Sequence, residues 1–173
     1  MAEETFWNAR KILSELCDNP KRLEVLTSFW SGGDETQRRL ATAHLSRTMH
    51  FREETLRKAP KEKKAAWLAS KLASPELETC FEAALMVYHT TRVSEMLGAF
   101  LDQWGIPHKK GTIEDDDYKA PTKEQVRAGV EALKDRFPLQ DILLYLSSAG
   151  LLMGPDWRKA TWPVVDEMVA AKA

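Results

Sequence analysis

Cysteine is nearly absent, with Cys17 and Cys80 the only two in 173 residues. Two thiols cannot build the disulfide framework of a small secreted fold, which predicts a reducing, cytoplasmic setting. Glycine and proline are sparse as well, eight of each, which excludes collagen-like and low-complexity classes. Long apolar runs are missing: stretches such as Ile142-Leu143-Leu144-Tyr145-Leu146 fall far short of the roughly 20 residues of a membrane-spanning helix. The opening Met1-Ala2-Glu3-Glu4 has neither the basic nor the apolar region of a secretory signal, so no membrane association is expected. Net charge is lacking too, 25 Lys and Arg standing against 26 Asp and Glu.

Chemical signatures are equally scarce. The chain has no Gly-x-Ser-x-Gly elbow, no phosphate-binding glycine loop and no Gly-x-Gly-x-x-Gly. Its acidic run Glu114-Asp115-Asp116-Asp117 does not alternate as a calcium loop must. Four histidines, His44, His50, His89 and His108, show neither His-x-x-x-His nor Glu-x-x-His spacing, so no metal and no cofactor are expected.

What the sequence does contain is helical periodicity. Phe6, Ala9, Leu13 and Leu16 form one stripe, and Leu23, Leu26 and Trp30 another, as a 3.6-residue period requires. Asn19-Pro20 reads as an N-cap followed by proline at the first helical position. Asp34 with Gln37, and Thr122 with Gln125, are capping boxes or close to it. Leu40, Ala43, His44 and Phe51 mark the inner side of the third segment. Leu77, Phe81, Ala84, Leu85, Tyr88, Met96, Phe100 and Trp104 stay in phase from Pro75 to Trp104, which predicts one long central helix of about 45 Å. Paired β-branched Thr90 and Thr91 weaken its middle. Gly105-Ile106-Pro107 ends it: a left-handed cap, an apolar residue folding back, and a proline forbidding continuation. The almost wholly apolar 139–149 segment, stopped by Gly150, predicts a centrally buried helix. A last helix is expected from Asp156, with Pro163 kinking it or opening its second half.

These marks predict an all-α, multi-helix bundle of about seven to eight helices with no sheet. A single domain spanning 1–173 is expected, with the irregular 106–121 loop as its subdomain boundary.

Charge is unevenly placed within the neutral total. From Arg38 to Lys71 ten basic residues face three acids, an excess of +7, and the remainder carries −8. Such a segment attracts anions, through Arg38, Arg39, Arg47, Arg52, Lys61 and Lys64 in particular, unless acids of the same chain neutralise it. Phe51 and Trp67 in this segment would stack on bases if exposed, although no nucleic-acid-binding motif is present. A second polar set, Glu82, His89 and Arg92, with Glu95 beyond it, runs in phase along the Pro75–Trp104 segment. Either it locks helices together or it lines the pocket of a small-ligand binder or enzyme. Six tryptophans are many for this length, and Trp157 and Trp162, among few other apolar residues, are expected at an interface.

The leading expectation is a non-enzymatic module for a protein partner or for self-association. A ligand pocket or enzyme at His89, Arg92 and Glu82, and nucleic-acid or anion binding at 38–71, are the alternatives.

Overall fold

The computed structural model describes residues 5–172, so the Met1–Glu4 opening lies outside the described residues. Ten α-helices and one 3-10 turn occupy them, and apart from an isolated bridge between Lys109 and Thr112 there is no β-structure. The architecture is all-helical, with somewhat more helices than the punctuation indicates. No helix is long and apolar enough to cross a membrane.

The residues form two compact units, 8–88 and 5–7 together with 89–172. In the first, α1 (Ala9–Glu15) is capped by Asn8 Oδ1, which accepts from Lys11 N–H. The cap of α2 (Asn19–Gly32) is Asp18, whose carboxylate accepts from Lys21 N–H, and Asn19 is already helical. The sequence reading is corrected by one residue here: proline is as acceptable at the second helical position, and Asp caps as well as Asn.

Asp34 caps α3 (Glu35–Met49) by accepting from Gln37 N–H, as the spacing predicts. Leu40 and Phe51, expected on the inner side, are instead 46% and 42% exposed. The inward face of α3 is carried by Ala41, Thr42, His44 and Leu45. The helix ends on His50 in the left-handed conformation (φ 59°), so Phe51 leaves the helical register altogether. Two short helices follow, α4 (Glu53–Lys58) and α5 (Lys61–Ala69). α5 packs along α2, burying Ala65 and Leu68.

The expected long central helix is divided into a 3-10 turn (Pro75–Leu77), α6 (Glu78–Thr91) and α7 (Ser94–Gln103). The break falls at Arg92-Val93, where Val93 takes φ −124° and ψ 27°. Thr90, Thr91 and Val93 crowd three β-branched side chains into one turn, and each loses rotamer freedom against the preceding turn. The apolar spacing in the sequence runs on across the break, which is why the pattern looks continuous.

In the second unit α7 ends as expected. Gly105 takes φ +67°, its N–H donates to Asp102 O, and Ile106 N–H reaches back to Leu101 O at 2.9 Å. These two bonds make a Schellman motif with Ile106 buried beneath it. The 106–121 loop lies inside this unit and is itself ordered. Lys110 and Gly111 turn with positive φ between Lys109 and Thr112, which exchange both backbone hydrogen bonds. A Cβ on Gly111 would lie 2.5 Å from Ser94 O. Thr122 and Gln125 complete a reciprocal capping box on α8 (Lys123–Leu133).

α9 (Leu139–Leu152) is buried from Asp141 to Gly150, the central helix of its unit. It does not stop at Gly150 but runs on to a cap at Met153, with Gly154 (φ +109°) as the left-handed residue. Gly150 serves packing instead: α10 (Pro155–Lys172) presses so close that a Cβ there would lie 2.3 Å from Trp162 Nε1. Pro163 sits inside α10 without ending it.

Candidate anion-binding groove

The basic 38–71 segment folds into α3, α4 and α5. Three of its cations pair within their own helices one turn apart: Arg39 with Glu35, Arg57 with Glu53 and Lys58 with Glu54. Such exposed pairs hold a side chain in place and contribute little energy. The other seven, Arg38, Arg47, Arg52, Lys61, Lys63, Lys64 and Lys71, make no ion pair among the described residues. The excess of positive charge on this face is therefore not cancelled by carboxylates beside it.

Four of the segment's cations converge on one groove of about 620 Å³. Its walls are Arg38, Arg39, Thr42 and Ala43 of α3, Arg57 of α4 and Lys64 of α5, with Trp30 of α2 joining them. Glu35 and Glu53 also line it, each already bound to its arginine. That leaves Arg38 and Lys64 as two cations with no counter-charge in a shared recess.

Each of the two is held by contacts other than ion pairs. Arg38 donates weakly from Nη1 to Trp30 O at 3.5 Å. Its Nε is buried with no acceptor. Thr42 Oγ1 donates to Arg38 O at 2.8 Å, which ties the groove's threonine to the α3 backbone. The Lys64 ammonium lies 4.7 Å from the centroid of the Trp30 ring, a cation–π contact. Burial lowers the Lys64 pKa, and the like charges of Arg38 and Lys61 lower it further.

Trp30 is 6% exposed, and its Nε1 is a buried donor with no acceptor among the described residues. Other indoles are satisfied: Trp7 by Asp166, Trp104 by Gln125 O and Trp162 by Ser147 O. Two orphan N–H groups, on Trp30 and Arg38, thus belong to side chains lining the same groove. Buried donors without acceptors are uncommon and call for a reason. The sequence gives Arg38 and Lys64 by composition, but nothing in it marks Trp30, because α2 joins the site only through its packing on α5.

The remaining sequence-predicted residues lie elsewhere. Arg47, Arg52 and Lys61 are exposed and outside the groove. Phe51 and Trp67 lie outside the groove and pack against each other, ring centroids 5.6 Å apart. Glu82 is half-buried on α6, with its pKa raised by burial and by Glu78. His89 is buried against Tyr145 at 5.9 Å between rings, and Arg92 lies exposed beyond the last residue of α6. Glu95 pairs with Arg136 at 2.7 Å.

Trp157 and Trp162, expected at an interface, are 3% and 5% exposed and belong to the core of their own unit. Trp157 meets Trp104 edge-on, and Trp162 takes Phe6 edge-on beneath Arg158. The apolar partners of both come from distant sequence, invisible in a local window.

His44 is buried on the inner side of α3, as expected, with both ring nitrogens lacking a partner among the described residues. His108 is fully engaged: Nε2 meets Asp102 at 2.8 Å, and Nδ1 accepts from Gly111 N–H at 3.0 Å. Among the described residues no group of three or more His, Cys, Asp or Glu side chains could hold a metal ion.

No protein-family model, curated protein or solved structure matches the chain.

Proposed function

We propose that the protein is a non-enzymatic helical binding module whose α3–α5 face receives an anionic ligand in the groove between Arg38 and Lys64. The observation that supports this most is the pair itself: two cations share one recess with no carboxylate to neutralise either. Lys61, whose charge reaches Lys64, adds to the positive field that steers an anion from solution. The scarcity of cysteine, with both residues buried, supports a reducing compartment, the cytoplasm.

The test is chromatography on a heparin matrix, which offers a polyanion without sequence. The wild-type chain is expected to be retained at low salt and released as salt rises. An Arg38→Glu, Lys64→Glu double variant is expected to elute earlier. Passage of the folded wild type through the column at low salt overturns the reading.

A second reading keeps a protein partner, namely another copy of the chain. Glu114, Asp115, Asp116 and Asp117 are all exposed and make no ion pair among the described residues. An unneutralised acidic loop and an unneutralised basic face on one chain are complementary between copies. Light scattering at low salt tests this: a species heavier than 19.7 kDa that dissociates with salt supports it, and a monomer at high concentration removes it.

A further inference from the structure

We infer that the groove is a binding site for a phosphomonoester group, held by Arg38 and Lys64, with Trp30 as a reserve donor beneath Lys64. This rests on the anion-binding reading above and narrows it to one chemistry.

A nucleic-acid backbone is recognised by many cations tracking successive phosphates. Here the two unpaired cations inside the groove come from different helices and meet in one recess, flanked by Arg39 and Arg57. A single compact dianion matches the two cations that meet inside the groove. The guanidinium of Arg38 suits a phosphate because its planar fork gives parallel N–H donors, while Lys64 supplies a movable point charge.

The two orphan donors sharpen the assignment. Trp30 Nε1 and Arg38 Nε are buried donors without an acceptor among the described residues. The ammonium of Lys64 lies over the indole. A lysine has four rotatable side-chain bonds, and a cation–π contact of this kind is weak enough to exchange for a dianion. Lys64 can swing from the ring onto the phosphate, and Trp30 Nε1 and Arg38 Nε are the two donors of the lining without an acceptor among the described residues. The volume of about 620 Å³ is in the range of small-molecule sites, so the organic part of an ester fits beside the phosphate.

The experiment is calorimetric titration of the full chain with inorganic phosphate and with a nucleoside monophosphate, at ionic strength fixed with sodium chloride. Tighter binding of the nucleoside monophosphate supports a phosphorylated small molecule as the natural occupant, and equal or exclusive binding of inorganic phosphate supports the free ion. Lys64→Gln and Trp30→Phe are each expected to weaken binding, Lys64→Gln by about tenfold. Arg47→Gln and Arg52→Gln, which remove the same charge from the same segment outside the groove, are expected to leave it within about twofold.

Melting of each variant by circular dichroism establishes that it is folded. Wild-type-like phosphate binding by Lys64→Gln overturns the inference, and so does equal loss in the Arg47 and Arg52 variants. Heparin retention without phosphate binding overturns the phosphomonoester site and leaves the broader anion-binding reading standing. A single-stranded oligonucleotide without terminal phosphate that binds tighter than the monophosphate overturns it in favour of a phosphodiester track.

Discussion

Lys64 Nζ lies 4.7 Å from the centroid of the Trp30 ring, and it does so in the absence of any carboxylate partner. An ammonium with three donors ordinarily finds water or an acid, and here its flat neighbour is a buried indole. Like-charge repulsion from Arg38 and Lys61 adds to the burial of the ammonium. An anion bound beside Lys64 would relieve that like-charge tension.

The first prediction follows from that tension. Because burial, Arg38 and Lys61 lower the Lys64 pKa from 10.5, the ammonium loses its proton at lower pH than an exposed lysine. Anion affinity is full while Lys64 is charged and falls as pH rises through its lowered pKa. A titration of phosphate affinity through the alkaline range should show the decline beginning below pH 10.5. The decline is expected to disappear in Lys64→Gln.

Gly150 gives a test of packing. In an exposed helix Gly→Ala stabilises by up to about 1 kcal/mol. At this position the new Cβ would lie 2.3 Å from Trp162 Nε1 and 2.7 Å from Thr161 Oγ1. Trp162 cannot yield easily, since Nε1 donates to Ser147 O at 3.0 Å. Gly150→Ala is expected to destabilise by about 2–3 kcal/mol, as overpacked cores do, measured by urea denaturation.

The α2 cap separates neighbouring residues. Asp18→Ala removes the acceptor of Lys21 N–H and should cost about 1 kcal/mol, whereas Asn19→Ala should be neutral or slightly favourable. Equal losses would return the cap to Asn19.

Acid sensitivity has a local source on α10. Glu167 accepts from Arg127 and pairs with Lys123, which together hold its carboxyl at about 2, well below the usual 4.5. A carboxylate depressed on folding stabilises above its unfolded pKa, and that contribution is lost as pH falls from 4.5 towards 2. The side chain is largely exposed, so the effect is small, of the order of a surface ion pair. Glu167→Gln should melt slightly below wild type at neutral pH, and the gap should close as acid is added.

Thiol chemistry should be silent. Cys80 is 1% exposed, with burial pushing its thiol up to about 11, and Cys17 is buried too. A thiol reagent at pH 8 is expected to label neither in the native protein and both after unfolding.

How much of this was legible in the sequence depends on range. Thr122 with Gln125 and the Gly105 Schellman turn are decided within six residues and form as their spacing predicts. Asp34 caps α3 without the reciprocal bond of a capping box, the Gln37 side chain meeting Thr79 and Cys80 instead. The helix break at Arg92-Val93 is less legible, because the apolar spacing runs on across it and only the β-branched Thr90, Thr91 and Val93 hint at it. Trp157 and Trp162 look isolated only in a local window; Trp104 and Phe6, which cover them, are dozens of residues away or more. The groove falls between these cases. Its cations stand out in composition, but their lack of counter-charge and the part of Trp30 emerge only when α2, α3, α4 and α5 are packed.

The central claim concerns one indole in that groove, and its N–H can be watched directly. In a proton–nitrogen correlation spectrum of the full chain, Trp30→Phe identifies the Trp30 side-chain signal. Phosphate added at constant ionic strength should shift that signal saturably, as Lys64 leaves the ring and the donor gains an acceptor. The signals of Trp104 and Trp162, already bonded to Gln125 O and Ser147 O, should stay in place. A Trp30 signal that does not move while phosphate is titrated to saturating concentration would contradict the account.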